Sequence, residues 1–309
     1  VNSSFKQNKV PKEVIEKVDW YIDNLNSLEL TDPIFITSKG NREKTLCRQL
    51  NRFSSPVFLF IDENEFESFG YDKLEKSESV EIIKLKSEQC ASLQQKRKAM
   101  QDFSRSKDFK RYFMLDDDIS YTGYIANIDR EGQTKNKIPI DKLCAIMQHY
   151  LKDREFSVAG PTIMSIVCAT CSSLEGHQTN RCFFYVNDEF LQKHNIGWNP
   201  RSDLIEDLVL AYDCHQAGLM QSSLSFLLKA ATYPKYDELS DRKKQLIMNT
   251  WVYLKGYYKP RLMKTSNDII QFSRCKGENT FEQTYKVVGN SYEKLLNYLK
   301  NQNKPFWQR

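Results

Sequence analysis

Through the first third of the chain, short apolar runs alternate with longer segments of mixed character. Pro33-Ile-Phe-Ile-Thr37, Pro56-Val-Phe-Leu-Phe-Ile61, Val80 to Leu85 and Arg111-Tyr-Phe-Met-Leu115 are rich in β-branched and aromatic residues. Such runs predict strands buried on both faces. Between the last two lies Gln89 to Phe109, whose apolar positions Leu93, Met100 and Phe103 fall on one side of a helix with basic residues on the other. Ahead of them, Asn2 to Leu30 carries Val14, Ile15, Val18, Trp20, Tyr21, Ile22 and Leu25 at helical intervals, predicting a helix that packs on a later sheet. A helical stretch also follows Arg42 and runs to Phe53. Strands separated by helices predict an α/β fold with a mostly parallel central sheet flanked by helices, whose ligand crevice lies beyond the carboxyl ends of the strands.

Past Ile119 the pattern loosens. Tyr121 to Lys137 reads as a polar stretch, Ile138 to about Leu151 as a helix, and Ser157 to Cys168 and Arg181 to Val186 as strands. Asp203 to Ala217 predicts a helix stopped by Gly218, and Ser223 to Ala230 a strand. Helices are expected at Glu238 to Leu254 and Phe281 to Leu299. The chain thus divides into an N-terminal helical segment (1–30), a half that ends in an acidic motif (31–120), a second half (121–235) and a helical C-terminal extension (236–309).

Composition narrows the class. Hydrophobic residues make up 40% of the 309, enough to build a core and exclude a disordered chain. A mean hydropathy of −0.60, without an apolar stretch near the roughly 18 residues a spanning helix needs, excludes an integral membrane protein of helical type. The eight cysteines show no disulfide framework, so reduced thiols and a cytoplasmic setting are expected. Among them, Cys168, Cys171 and Cys182 with His177 are either zinc ligands or ordinary thiols. The net charge of +5 permits an anionic partner without requiring one. Its distribution is more telling, because Lys84 to Arg111 holds nine basic residues against three acidic ones and runs straight into the most acidic motif of the chain.

That motif is Met114-Leu-Asp-Asp-Asp-Ile119. Three carboxylates at the end of a buried strand repel one another and lose hydration, unless a cation sits among them. Hard oxygen donors suit Mg²⁺ or Mn²⁺, and such an ion would bridge the phosphates of a nucleotide. The other reading is a solvated turn in which an Asp caps the next segment.

Asp116-Asp117-Asp118, closing the fourth strand of such a half, resembles the DxD motif of GT-A glycosyltransferases, a Rossmann-like fold that binds a nucleotide-diphosphate sugar through a divalent metal. The resemblance implies that Asp116, Asp117 and Asp118 contact the sugar nucleotide, with Asp116 and Asp118 on Mn²⁺ or Mg²⁺. It also places Thr37, Ser38, Lys39 and Arg42 near the base or phosphates, Asp62 near the base, and Arg97 where related enzymes often keep a basic residue. A UDP-sugar is the expected donor.

A second segment strengthens the match. Ile196-Gly-Trp-Asn-Pro-Arg-Ser-Asp-Leu-Ile-Glu-Asp-Leu208 resembles the GT-A region in which an acidic pair opens a helix near the acceptor. By that likeness Asp207 is the base of an inverting transfer, Glu206 supports it, and Trp198 floors the sugar or acceptor pocket. Acids enriched at a helix start for dipole reasons are the competing account. Ser38-Lys-Gly, the basic helix and Leu-Asp-Asp-Asp-Ile most resemble the TET/JBP-associated glycosyltransferases, which act on hydroxymethylated pyrimidines in DNA of phages and some eukaryotes.

A nucleic-acid acceptor has separate support in Tyr253 to Lys264, where Tyr257 and Tyr258 can stack on bases while Lys259 and Arg261 meet phosphates. The same segment also reads as a helix end with a solvated loop. Polysaccharide or protein acceptors, or an inactive nucleic-acid-binding module of the same fold, stay open alongside the DNA reading. The four histidines form no catalytic triad pattern.

Overall fold

The computed structural model describes residues 12–38, 40, 50, 53, 56–66, 71, 80–126, 134–163, 175–177, 182–198, 206–219, 221–231, 260–264 and 270–274. Helices expected at 238–254 and 281–299 lie outside them.

All four predicted strands of the first half are present. They are β1 (Ile34–Thr37), β2 (Val57–Asp62), β3 (Val80–Leu85) and β4 (Arg111–Asp116). They pair in the order β3-β2-β1-β4, every neighbour parallel. Such a sheet has both faces covered, and the side chains of β1 alternate accordingly. Ile34 and Ile36 enter one core layer, while Phe35 enters the other. The leading helix is α1 (Lys12–Asp23), whose Val18 and Tyr21 pack in the Ile34 layer. A single-turn helix α2 (Glu63–Phe66) follows β2.

The basic helix is α3 (Leu93–Ser106), preceded by a 3₁₀ turn at Ser87–Cys90. It begins where Ser92 accepts a hydrogen bond from Gln95 N at 3.2 Å, an N-cap that the apolar spacing did not locate. Since α3 links the parallel strands β3 and β4, it runs back across the sheet, and its first turn lies at the carboxyl edge.

The second half extends the sheet with mixed directions. It comprises β5 (Ile119–Ala126), β6 (Thr134–Lys137), α4 (Ile140–Leu151), β7 (Val158–Ile163), β8 (Glu175–His177), β9 (Phe183–Asn187), α5 (Asp188–Lys193), α6 (Glu206–Gln216) and β10 (Ser222–Ala231). The ten strands run β3-β2-β1-β4-β9-β7-β10-β5-β6, with β8 pairing β10. Both β9 and β5 run antiparallel to their neighbours, whereas β7 and β10 are parallel to each other.

Here the structure departs from the sequence pattern. Tyr121 to Lys137, expected as a polar stretch, contributes a hairpin of β5 and β6, because β5 pairs with the buried strand β10. Gly123 makes the hairpin possible: a Cβ there would overlap Asn136 O and the Tyr121 ring. Within the region expected to be helical after residue 236, β11 (Pro260–Lys264) and β12 (Ile270–Arg274) form an antiparallel pair. Among the described residues no helix is long and apolar enough to cross a membrane.

Candidate active site

The site forms at the carboxyl edge, where β1, β4, the first turns of α3 and the start of α6 meet. Parallel register sets Thr37 beside Asp116, so the residues after β1 face the acidic turn after β4. At the centre is Arg97, only 2% exposed. Its Nη2 donates to both oxygens of Asp116 at 2.8 and 3.0 Å, and its Nη1 to Glu206 Oε1 at 2.5 Å. The guanidinium lies over the rings of Phe184 (4.8 Å) and Trp198 (5.2 Å), so apolar faces enclose the ion triad. Burial opposes charge on Arg97, but Asp116 and Glu206 outweigh it and hold its pKa above the ordinary value. Burial likewise pushes the Glu206 carboxyl up to about 7, against the pull of Arg97 and assisted by the charge of Asp207.

The segment after β1 is fastened from three sides. Ser38 Oγ donates to Asp117 Oδ2 at 2.8 Å, and Lys96 Nζ reaches Ser38 O at 2.6 Å. Tyr71 Oη sits 2.9 Å from Ser38 Oγ and donates to Gly40 O at 2.8 Å. Gly40 adopts φ +71°, a left-handed conformation that favours glycine, and its amide donates to Glu65 Oε2 at 3.0 Å. Ser38 and Gly40 are thus tied to α3, Glu65, Tyr71 and the acidic turn.

The sequence profile of the TET-associated glycosyltransferases matches residues 32–224, from just before β1 into β10. That is more than half of the chain, and it contains the Asp116 turn, Arg97 and the Glu206–Asp207 pair. The chain belongs to the TET-associated glycosyltransferase family. No curated protein matches it. As a glycosyltransferase, it has a mixed α/β architecture compatible with the Rossmann-like GT-A fold inferred from its motifs.

Both oxygens of Asp116 in the acidic turn already accept from Arg97, so a divalent ion there would share that carboxylate with the guanidinium. Among the described residues no group of three or more His, Cys, Asp or Glu side chains is arranged to hold a metal. Mg²⁺ and Mn²⁺ need fewer, since one or two carboxylates suffice when substrate phosphates complete the shell. Asp116 and Asp118 meet that minimum with hard oxygen donors. Of the zinc candidates, Cys182 is buried and in no disulfide, His177 lies in β8, and Cys168 and Cys171 lie outside the described residues.

The remaining predicted residues of this glycosyltransferase divide clearly. Thr37, Ser38, Arg97, Asp116, Asp117 and Glu206 converge, and Asp207 follows Glu206 in the first turn of α6, half-buried rather than enclosed. Trp198 belongs to the same cluster but is 2% exposed, its ring face toward Arg97. Asp62 stands apart at the end of β2, accepting from Asn64 N at 3.0 Å and Ser87 Oγ at 3.1 Å. Arg261 lies in β11, opposite Ser273, and Lys39, Arg42, Tyr257, Tyr258 and Lys259 lie outside the described residues.

The charged helix of the glycosyltransferase is used differently from its sequence. Lys96 and Arg97 turn inward to Ser38 and the acidic residues, and Arg105 in the last turn donates to Asp188, so these cations of α3 are spent on the protein itself. Sequence reasoning counted Lys96 only as charge and missed Tyr71 entirely. The adjacency of Lys96 to Arg97, near the start of a helix that begins at the carboxyl edge, was the available signal for the first; Tyr71 had none.

Proposed function

We propose that this glycosyltransferase moves a sugar from a nucleotide diphosphate to a hydroxyl group, with a hydroxymethylated pyrimidine in DNA as acceptor and inversion at the anomeric carbon. The observation that carries the reading is the Asp116–Arg97–Glu206 bridge, which joins the acidic turn to the acidic pair in one enclosed site. A solvated turn and a helix start enriched in acids have no reason to share one buried cation.

In this reading the Ser38–Gly40 loop and the acidic turn hold the nucleotide diphosphate, the UDP form being the one to try first. A divalent ion bound by Asp116 and Asp118 would neutralise the leaving diphosphate. Asp207 accepts the proton of the acceptor hydroxyl as its oxygen bonds to the anomeric carbon, while the bond to the diphosphate oxygen breaks on the opposite face. Arg97 holds Glu206 in place, which keeps the first turn of α6 and hence Asp207 at the crevice.

Replacing Asp116 and Asp118 by Asn should abolish Mn²⁺-dependent donor hydrolysis, and unchanged turnover would remove the metal from the reading. Product NMR should show inverted anomeric configuration; retention would strip Asp207 of its role. A DNA acceptor should bind more weakly as salt rises, because neutralised phosphates release counterions. Salt-independent binding would point to a polysaccharide or protein acceptor.

A further inference from the structure

One helical turn before Arg97 lies a further buried polar side chain. Gln94 is fully buried, yet among the described residues neither its side-chain oxygen nor its nitrogen has a hydrogen-bond partner. Of the other buried side-chain atoms in that condition, three belong to the triad or to the indole against it: Arg97 Nε, Glu206 Oε2 and Trp198 Nε1. Buried polar atoms in native proteins are nearly always paired, and exceptions call for a reason such as a ligand.

Position supplies the reason. Gln94 lies in the first turn of α3, one turn before Arg97 on the same side of the helix and at the carboxyl edge of the sheet. Arg97 in turn touches Trp198 and Glu206. The unpaired set mixes donors and acceptors: an amide with both, an indole N–H, a guanidinium N–H and a carboxylate oxygen. A phosphate accepts hydrogen bonds only and would meet the Glu206 carboxylate. A nucleobase needs an open aromatic face, and those of Phe184 and Trp198 are turned to Arg97. Hydroxyl groups, each both donor and acceptor, match the set.

We propose that Gln94, with Glu206 Oε2 and Trp198 Nε1, forms the subsite for the hydroxyl groups of the transferred sugar, and that Gln94 determines which sugar is accepted. This rests on reading the site as a sugar-nucleotide site. Gln94 thereby trades stability of the empty protein for recognition.

The test is Gln94→Met, which keeps the length of the side chain and removes both unpaired atoms. Calorimetry and thermal melting would use UDP-glucose, UDP-galactose, UDP-N-acetylglucosamine and GDP-mannose, with UDP and GDP as the sugar-free controls. The ligand-free variant should melt higher than wild type. Its affinity for the preferred sugar nucleotide should fall about tenfold or more relative to the matching diphosphate, as loss of one or two hydrogen bonds predicts. A lower melting temperature with an unchanged ratio would overturn the assignment, as would a variant impaired only toward the acceptor. In wild type, the Gln94 side-chain amide signal, identified by its loss in Gln94→Glu, should move when the sugar nucleotide replaces the diphosphate; a stationary signal would also overturn it. Wild type that binds none of these nucleotides would instead refute the site reading itself, and the subsite with it.

Discussion

Arg97 is the residue whose loss should be felt most, and Arg97→Met isolates its charge from its bulk. The substitution leaves Glu206, 7% exposed, and Asp116, 18% exposed, facing each other without a counter-charge. Removing one partner of a buried ion pair costs about 3–5 kcal/mol, and the partial exposure of Asp116 favours the lower end, about 3 kcal/mol. For a chain of 309 residues each kcal/mol lowers the melting temperature by roughly 1.5 °C, so a fall of about 5 °C is expected. Adding Glu206→Gln to Arg97→Met should restore part of that loss, because the uncompensated carboxylate is gone; the coupling should exceed about 1 kcal/mol. The pH dependence has a defined sign. Glu206 rises from 4.5 to about 7 on folding, so the folded state binds more protons between those values. Its contribution is fully present below 4.5 and is lost as pH rises through about 7, with a slope of at most about 1.4 kcal/mol per pH unit. Without Arg97 the carboxyl rises further and the loss continues to higher pH. Calorimetric melts of the four proteins of this cycle from pH 4.5 to 8.5 check all of this. A single variant within about 1 kcal/mol of wild type, or strictly additive substitutions, would refute the triad as the organiser of the site.

Two further expectations follow from the same geometry. Tyr71→Phe removes the hydroxyl that holds Gly40 O and lies against Ser38, so it should cost about 1 kcal/mol in melts and weaken nucleotide binding by calorimetry while turnover at saturating donor is retained. Asp188→Asn loses the charge that receives Gln101 Nε2, Arg105 Nε and Gln192 Nε2; fully buried, it should cost about 2–4 kcal/mol in chemical denaturation, and the fluorescence of Trp198, whose amide leans on Gln101 Oε1 at 3.4 Å, should change.

Local chemistry was enough to read much of this molecule. Strands β1, β2 and β4 are buried on both faces, so each leaves a nearly unbroken apolar run that needs no tertiary context to recognise, whereas the edge strand β3 keeps Glu81 and Lys84 exposed. The Asp116–Asp118 turn was legible for the opposite reason, since adjacent like charges after such a run demand an explanation wherever they occur. Glu206–Asp207 stood out only beside that motif. What the tertiary structure decided was pairing across distance. Tyr121 to Lys137 is too polar to declare itself as a hairpin, and became one because β10 offered β5 an edge. The basic stretch Lys84 to Arg111 showed how much charge it carried but not its direction, and the fold turned Lys96 and Arg97 inward. Arg97 and Glu206 lie 109 residues apart in the chain and 2.5 Å apart in the site. No periodicity records such a contact, because a side chain's partner is set by how the helices cross the sheet, and Gln94 reads as one more polar helix residue until the fold buries it.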